Sequence, residues 1–400
     1  MSVKKSLAAL SAGTFGLGVA EFAMMAVLPY VAADLRVSIP TAGNWVSAYA
    51  VGVCCGAPLL VWGRTRPLKQ LLVALIGLMV AGNLLAAASS SYWSLMLARF
   101  VSGLPHGAYF GVASLVALKL APEGKGALAV SAMVAGMTVA NLAGVPLSAV
   151  VCHYLSWRLT FLLAGLWGCV TLLLVLRWVP FMPGLPDTGF RGQFRFLRHG
   201  APWRILAATV LGNGGVFCWW CYISPLLTQT SGFSEAVVPV LMMVAGGGMV
   251  LGNALGGYFS DRFTPGRIDA LVQGGICVAL SGIFFLASDG WWSVGLMFVV
   301  TMGLFAISSP QQTLILKHAP GGELLGGACI QIAFNLGNAV GAQAGGWPLR
   351  HGLDYPYTAL VGAAFVALGA LVMLDFVRRY ETRRHVPAGQ LTSFDEHLQP

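Results

Sequence analysis

Twelve long apolar stretches constrain this chain more than any other feature. They cover residues 6–29, 41–62, 70–88, 92–117, 127–150, 159–178, 203–227, 237–258, 268–287, 291–315, 324–346 and 356–377. A bilayer-crossing helix needs about 20 predominantly apolar residues, and each stretch meets that length. Charged residues make up 9% of the chain, against roughly 25% in a soluble domain. Without water in the hydrocarbon core, every backbone N–H and C=O must pair within its own segment. The expected fold class is therefore an all-α integral membrane protein of twelve transmembrane helices.

Charge sets the orientation. Of the 23 Lys and Arg residues, 19 fall on one side when the amino terminus is placed in the cytoplasm. Arg36, Arg158 and Arg350 fall outside, and Arg99 lies within a span. By the positive-inside rule both termini are expected in the cytoplasm. Lys4 and Lys5 precede the first stretch as in a signal peptide, but its apolar part is too long and eleven more follow, so it reads as retained. The net charge of +9 is thus a topology signal, and no soluble basic patch is left for nucleic acid. Seven of the eight cysteines sit in spans, which excludes a disulfide framework. Cys218 and Cys221 have C-x-x-C spacing, but on an apolar helix they are neighbours one turn apart, and neither a metal nor another cofactor is expected.

The polar stretch 180–202 divides the chain into bundles of six spans at 1–179 and 203–380, followed by a polar tail at 381–400. Arg191, Arg195 and Arg198 alternate there with Phe190, Phe194, Phe196 and Leu197, as in a short amphipathic segment at an anionic leaflet or a solvated linker. The halves also resemble each other. Ser38 and Pro29 match Ser234 and Pro225 at a shift of 196, Gly63 and Asn141 match Gly257 and Asn335 at 194, and Lys119 matches Lys317 at 198. Parallel six-helix repeats build a transporter fold whose substrate site lies near the midplane between the halves. Spans 3, 6, 9 and 12 carry few polar groups, so every third helix is expected at the periphery. The polar side chains of spans 1, 4, 5, 7, 10 and 11 should face protein or a water-filled cavity.

Two charges lie deep. Glu21, in GVAEFAMMAV, sits roughly 12 Å below the outer end of span 1, and Arg99 roughly 10 Å below that of span 4, counting 1.5 Å per residue. Level with each other, they are expected to compensate. They form either a static pair joining two helices or a proton-coupling site, since desolvation opposes ionisation of the carboxylate while a nearby arginine favours it. His106, two turns after Arg99 on the same face, is either a proton relay or a packing histidine. Gln331, Asn335 and Asn338 share one face of span 11. With Asn141, Asn213 and Gln311, and with Trp219, Trp220 and Tyr222 of span 7, they read as substrate contacts, interhelical hydrogen bonding being the alternative for the amides.

The stretches FGLGVAEFAMMAVLPYVAADLRVSIPTAG, RFVSGLPHGAYFGV, GMTVANLAGVPL and GGELLGGACIQIAFNLGNAVGA resemble the major facilitator superfamily, within it the twelve-span drug:proton antiporters and the arabinose-efflux-type permeases. The resemblance implies two pseudo-symmetric six-helix bundles and a gating motif repeated after spans 2 and 8. The second copy is present as Gly257, Asp261, Arg262, Gly266 and Arg267. The first, Gly63-Arg64-Thr65-Arg66, lacks the acidic residue. Arg99 matches an arginine that the family uses in proton transfer, and Gly144-Val145-Pro146 a degenerate antiporter motif. The function implied by the resemblance is that of a monomeric inner-membrane exporter of a sugar or amphipathic drug, in contact with lipid and driven by protons. Import by symport is the alternative. A membrane-embedded enzyme or sensor would need a convergent nucleophile or metal cluster, and HExxH, GxSxG and a phosphate-cradling loop are all absent.

Overall fold

A computed structural model describes residues 2–187 and 189–381, so the tail expected to be cytoplasmic lies, from residue 382, outside the described residues. Among them, eleven helices are long and apolar enough to cross a membrane, and a bent pair makes a twelfth. They are α1 (Val3–Asp34), α2 (Thr41–Gly63), α3 (Leu68–Ala87), α4 (Tyr92–Leu120), α5 (Gly126–Tyr154) and α6 (Trp157–Trp178). The second set is α7 (Gly200–Trp220, bent by 45° into Ile223–Thr230), α8 (Val238–Arg262), α9 (Pro265–Leu286), α10 (Gly290–Lys317), α11 (Glu323–Arg350) and α12 (Pro356–Glu381). No strand occurs among the described residues.

Local chemistry fixes the ends. Ser38 accepts from the Thr41 amide at the start of α2, and Ser91 with Ser94 forms a capping box on α4. Asp289 caps α10 through the amides of Trp291 and Trp292. Within α5, residues Ala140–Gly144 form a π-helical turn immediately before Pro146, whose ring removes a backbone donor.

The helices pack as two similar groups. α1 lies on α5 and α6, α2 on α4, and α3 on α4 and α6. Likewise α7 lies on α11 and α12, α8 on α10, and α9 on α12 and α10. α3, α6, α9 and α12 turn large apolar side chains outward, among them Leu173, Leu271, Phe285 and Leu371, each more than 60% exposed. In water such a surface would drive association, whereas against lipid it needs no cover. Other helices expose apolar side chains too, but the principal neighbours of these four all belong to their own group, as expected of helices at the periphery.

The groups meet through α5 against α8, α4 against α11, and α5 against α10. These contacts concentrate toward the face that carries the chain termini. Asp261, at the end of α8, accepts hydrogen bonds from the backbone amides of Ala127 and Leu128 at the start of α5, both 2.7 Å. One turn or two further in, Ser131 Oγ donates to the Asn253 carbonyl (2.6 Å) and Asn253 Nδ2 to the Ser131 carbonyl (2.8 Å). Gln312 Nε2 of α10 reaches Ser114 Oγ of α4 at 2.9 Å. Gly111 and Gly327 allow α4 and α11 to touch, since a Cβ on Gly327 would lie 2.8 Å from the Gly111 Cα. On the opposite face Leu147, Leu336 and Val340 are exposed.

The segment between α6 and α7 is a strap rather than a free linker. Its first part lies on the N-terminal group, where the Leu68 amide bonds the Met182 carbonyl (3.2 Å) and Arg64 takes Asp187 through two bonds of 2.7 and 3.2 Å. Its second part lies on the C-terminal group, with Gln193 Nε2 donating to the Gly321 carbonyl (2.8 Å). Gln193 and Phe196 are buried against protein, whereas Phe190 of the same segment is exposed.

Candidate functional site

A cleft lies between the two groups. The N-terminal group supplies Glu21 and Phe22 from α1, Phe110 from α4 and Asn141 from α5; the C-terminal group supplies Asn213 and Trp220 from α7 and Gln331, Asn335 and Asn338 from α11. Ser308, next to the break in α10 at Ile307, joins them. Among the described residues Glu21 is the one charged side chain in this lining.

The amides are pre-oriented by their own helices. Asn335 Nδ2 donates to the Gln331 carbonyl and Asn141 Nδ2 to the Met137 carbonyl, both at 3.0 Å. Asn213 Nδ2 donates to the Phe334 carbonyl at 3.0 Å and to Asn338 Oδ1, tying α7 to α11. With one N–H engaged, Asn141 and Asn335 each retain a second N–H donor and an oxygen acceptor. Aromatic rings of Phe22, Phe110, Phe217, Trp220, Phe305 and Phe334 complete the wall. Hydroxyl donors on a ligand find acceptors there, and its apolar faces find rings.

The buried charges are arranged differently from the direct pair that their depths suggest. Arg99 is fully buried, but its Nη1 donates to the Ala20 carbonyl at 2.6 Å, and its guanidinium lies 4.6 Å from the Tyr49 ring centroid and 5.6 Å from that of Phe161. Among the described residues no nitrogen–oxygen approach of 4 Å or less joins Arg99 to Glu21. The arginine holds the backbone one residue before the glutamate and acts on the carboxylate through space. Tyr49, which no feature of the sequence singles out, stands beside the guanidinium.

His106 is the closer partner. Its Nδ1 lies 3.8 Å from Glu21 Oε2 and 2.9 Å from the Tyr49 hydroxyl. Its ring stacks on Phe110 with 5.2 Å between centroids, and Gln331 of α11 approaches it from across the cleft. Glu21 keeps 12% of its side chain exposed, while His106 is sealed. Carboxylate, imidazole and hydroxyl are therefore contiguous from the cleft into the N-terminal group, and a residue of the other group closes the row.

Three expected substrate contacts lie elsewhere. Trp219 is completely buried in the core of the C-terminal group, because neighbouring residues on a helix point about 100° apart and Trp220 takes the cleft side. It faces neither ligand nor lipid. Tyr222 follows the bend in α7 and donates to the Ala342 carbonyl at 2.9 Å. Gln311 turns away from the cleft and donates to Asp269. Among the gating positions, Asp261 bonds α5 as described. Gly257 packs on Ser131, where a Cβ would come within 2.5 Å, and Gly144 packs on Val19 of α1. Gly63 rests against Leu71 in its own group, Arg262 Nη1 lies 3.4 Å from the Tyr258 hydroxyl, and Arg267 is exposed. Arg64 finds in Asp187 of the strap the acid that its own loop lacks. Among the described residues no group of His, Cys, Asp or Glu is placed to hold a metal.

Two helical groups closed on one face around an amide- and aromatic-lined cleft have the build of a membrane carrier of small molecules. Comparison with known proteins agrees. The model of the Major Facilitator Superfamily matches residues 10–328, and the chain belongs to that family. It is 46% identical over 382 residues to AraJ of Escherichia coli (strain K12), a candidate transporter, covering 95% of this chain and 97% of that one. It is 34% identical over 380 residues to the inner membrane transport protein YdhP of the same organism, with 95% and 97% covered. Among solved structures, the transporter FucP in the outward conformation superposes with a TM-score of 0.74 at 16% identity, over 92% of this chain and 98% of that one. The protein is a transporter, not an enzyme.

Proposed function

We propose that this transporter exports a small, neutral or cationic organic molecule, a sugar or an amphipathic drug, in exchange for protons, and that Glu21 carries the proton. The observation on which the reading rests is that Glu21 is the sole charged group lining the cleft among the described residues and contacts His106 instead of Arg99. A carboxylate neutralised by an arginine at contact distance has little reason to take up a proton, whereas one beside a partly screened imidazole and an open cleft does. A wall whose one charge is a carboxylate disfavours anionic cargo, and the acceptor amides suit hydroxyl-bearing cargo. Efflux follows the antiporter-like motifs, and a bacterial inner membrane with cytoplasmic termini follows the charge distribution and YdhP. In that orientation the bonds that join the two groups lie on the cytoplasmic side, which leaves the exterior as the side from which a proton would enter. One proton supplies about 1.4 kcal/mol per pH unit, about a tenfold concentration ratio.

The test is pH-dependent counterflow in proteoliposomes holding the purified monomer, with sugars and cationic or neutral drugs in turn. Glu21→Gln should fold, bind cargo and exchange it without pH dependence. Unchanged pH dependence in that variant would return the glutamate to a structural role. Acidification of the vesicle lumen in step with cargo entering it would favour symport.

A further inference from the structure

A second acid is buried in the C-terminal group, outside the cleft. α9 faces lipid with Leu271, Val278 and Phe285, but its opposite side carries Asp269, which is fully buried. The carboxylate accepts from Gln273 Nε2 one turn on (2.9 Å) and from Gln311 Nε2 of α10, 3.1 and 3.3 Å from its two oxygens. Both donors are neutral. Space for this polar cluster is kept by glycines, since a Cβ on Gly212 of α7 or Gly369 of α12 would lie 2.9 or 2.4 Å from the Gln273 amide oxygen.

Among the described residues no cationic nitrogen comes within 4 Å of Asp269. Arg204 of α7 and Arg379 of α12 are both engaged by Asp375, and Arg267 of α9 is exposed. Lys317 and His318 stand at the end of α10, where His318 Nδ1 meets the Leu314 carbonyl at 2.9 Å. Glu381, of the same sign as Asp269, is held at the start of α9 by Thr264 Oγ1 (2.6 Å) and the Gly266 amide (2.9 Å), the latter three residues before Asp269. A dehydrated carboxylate with only neutral donors and a like charge nearby is the setting in which an acid takes up a proton instead of remaining ionised.

The cluster also holds acceptors for that proton. Gln273 Oε1 and Gln311 Oε1 are buried and have no hydrogen-bond partner among the described residues. A half-turn of either carboxamide replaces an N–H donor with a carbonyl acceptor, so two patterns are open to the cluster: an ionised carboxylate accepting from both amides, whose own oxygens are then left over, or a carboxyl O–H donating to one of those oxygens, which takes the N–H of that glutamine off the carboxylate. Gln311 is followed by Gln312, which bonds Ser114 Oγ of α4 and the Gly327 carbonyl of α11 (3.0 Å) at the closed contact between the groups.

We propose that Asp269, with Gln273 and Gln311, is a second proton-binding site, separate from Glu21, and that its protonation loosens α10 and with it the Gln312–Ser114 contact that closes the face bearing the termini. The test uses the full-length protein in lipid vesicles. In pH-difference infrared spectra, Glu21→Gln should retain a titrating carboxylic C=O band that is lost in Glu21→Gln/Asp269→Asn. Gln311→Leu in the Glu21→Gln background should keep that band and move its frequency, which covers the case of an Asp269 variant that does not fold. Labels on the terminus-bearing ends of α4 and α11 should separate as pH falls in Glu21→Gln and stay put in the double variant. Identical infrared titrations with and without Asp269 would overturn the site, and identical distance changes would overturn its transmission. Because Glu21 is already removed, either failure leaves the reading of the cleft untouched.

Discussion

Asp261→Ala removes the carboxylate that receives the Ala127 and Leu128 amides across the two groups. Hydrogen bonds to a charged group contribute about 1.5–3 kcal/mol each. The side chain is partly exposed and solvent weakens such bonds, so the lower figure applies. Two bonds give about 3 kcal/mol, and at about 1.4 kcal/mol per factor of ten the closed state on this face should lose about a hundredfold in relative population. Asp261→Asn keeps an acceptor oxygen and loses the charge, so its effect should be about tenfold. Probes placed at the exposed positions Lys125 and Phe263 report the separation directly, in pulsed dipolar distance measurements on a cysteine-free background. The wild type should show the short distance and Asp261→Ala mostly the long one. If Asp261→Ala stays folded, as judged by circular dichroism, with an unchanged distance distribution, then these bonds do not set the conformational balance and the reasoning fails.

Gly327→Val places a branched side chain against the Gly111 Cα, so it should prevent closure of α4 on α11 and reduce transport at least tenfold while leaving thermal unfolding within a few degrees; normal counterflow would contradict this. At the other face, the Arg158 guanidinium and the Trp157 indole hold the Asp34 carboxyl below the usual carboxylate range. A depressed folded value means that this contribution is fully present above the ordinary Asp value and is lost as pH falls from there through the lower folded value. Arg158→Ala should therefore lower the unfolding temperature slightly near neutral pH and not at all in strong acid, which thermal melts across pH will show.

Much of the architecture is legible in hydropathy alone, because hydrocarbon demands helices of one length and penalises every polar group turned toward it. The face shared by Gln331, Asn335 and Asn338 does line the cleft, since helical spacing is rigid over seven residues. Partners are harder to read than faces. Equal depth for Glu21 and Arg99 says nothing about azimuth, and Tyr49 of α2 stands beside the guanidinium. Gln311 looks like any other amide of an inner helix until Asp269 is seen opposite it. An acid in the second turn of a span reads as solvated, and only the packing of α9 against α10 and α12 shows it to be dry. Asp187 is equally silent, because a strap of irregular backbone has no periodicity from which a partner for Arg64 could be inferred.

The π-helical turn at Ala140–Gly144 contains one residue more than a regular turn would need. Deleting a single amino acid there would relax it into ordinary α-helix, and because the wide turn absorbs the extra residue, the stretch from Val145 to Tyr154 would keep nearly its present facing. Ser148, whose carbonyl accepts from the Thr160 hydroxyl, would keep that neighbour. The wide turn thus holds a spare residue, and a one-residue deletion at this point is expected to be tolerated better than the same deletion elsewhere in α5, which would rotate everything beyond it by about 100°.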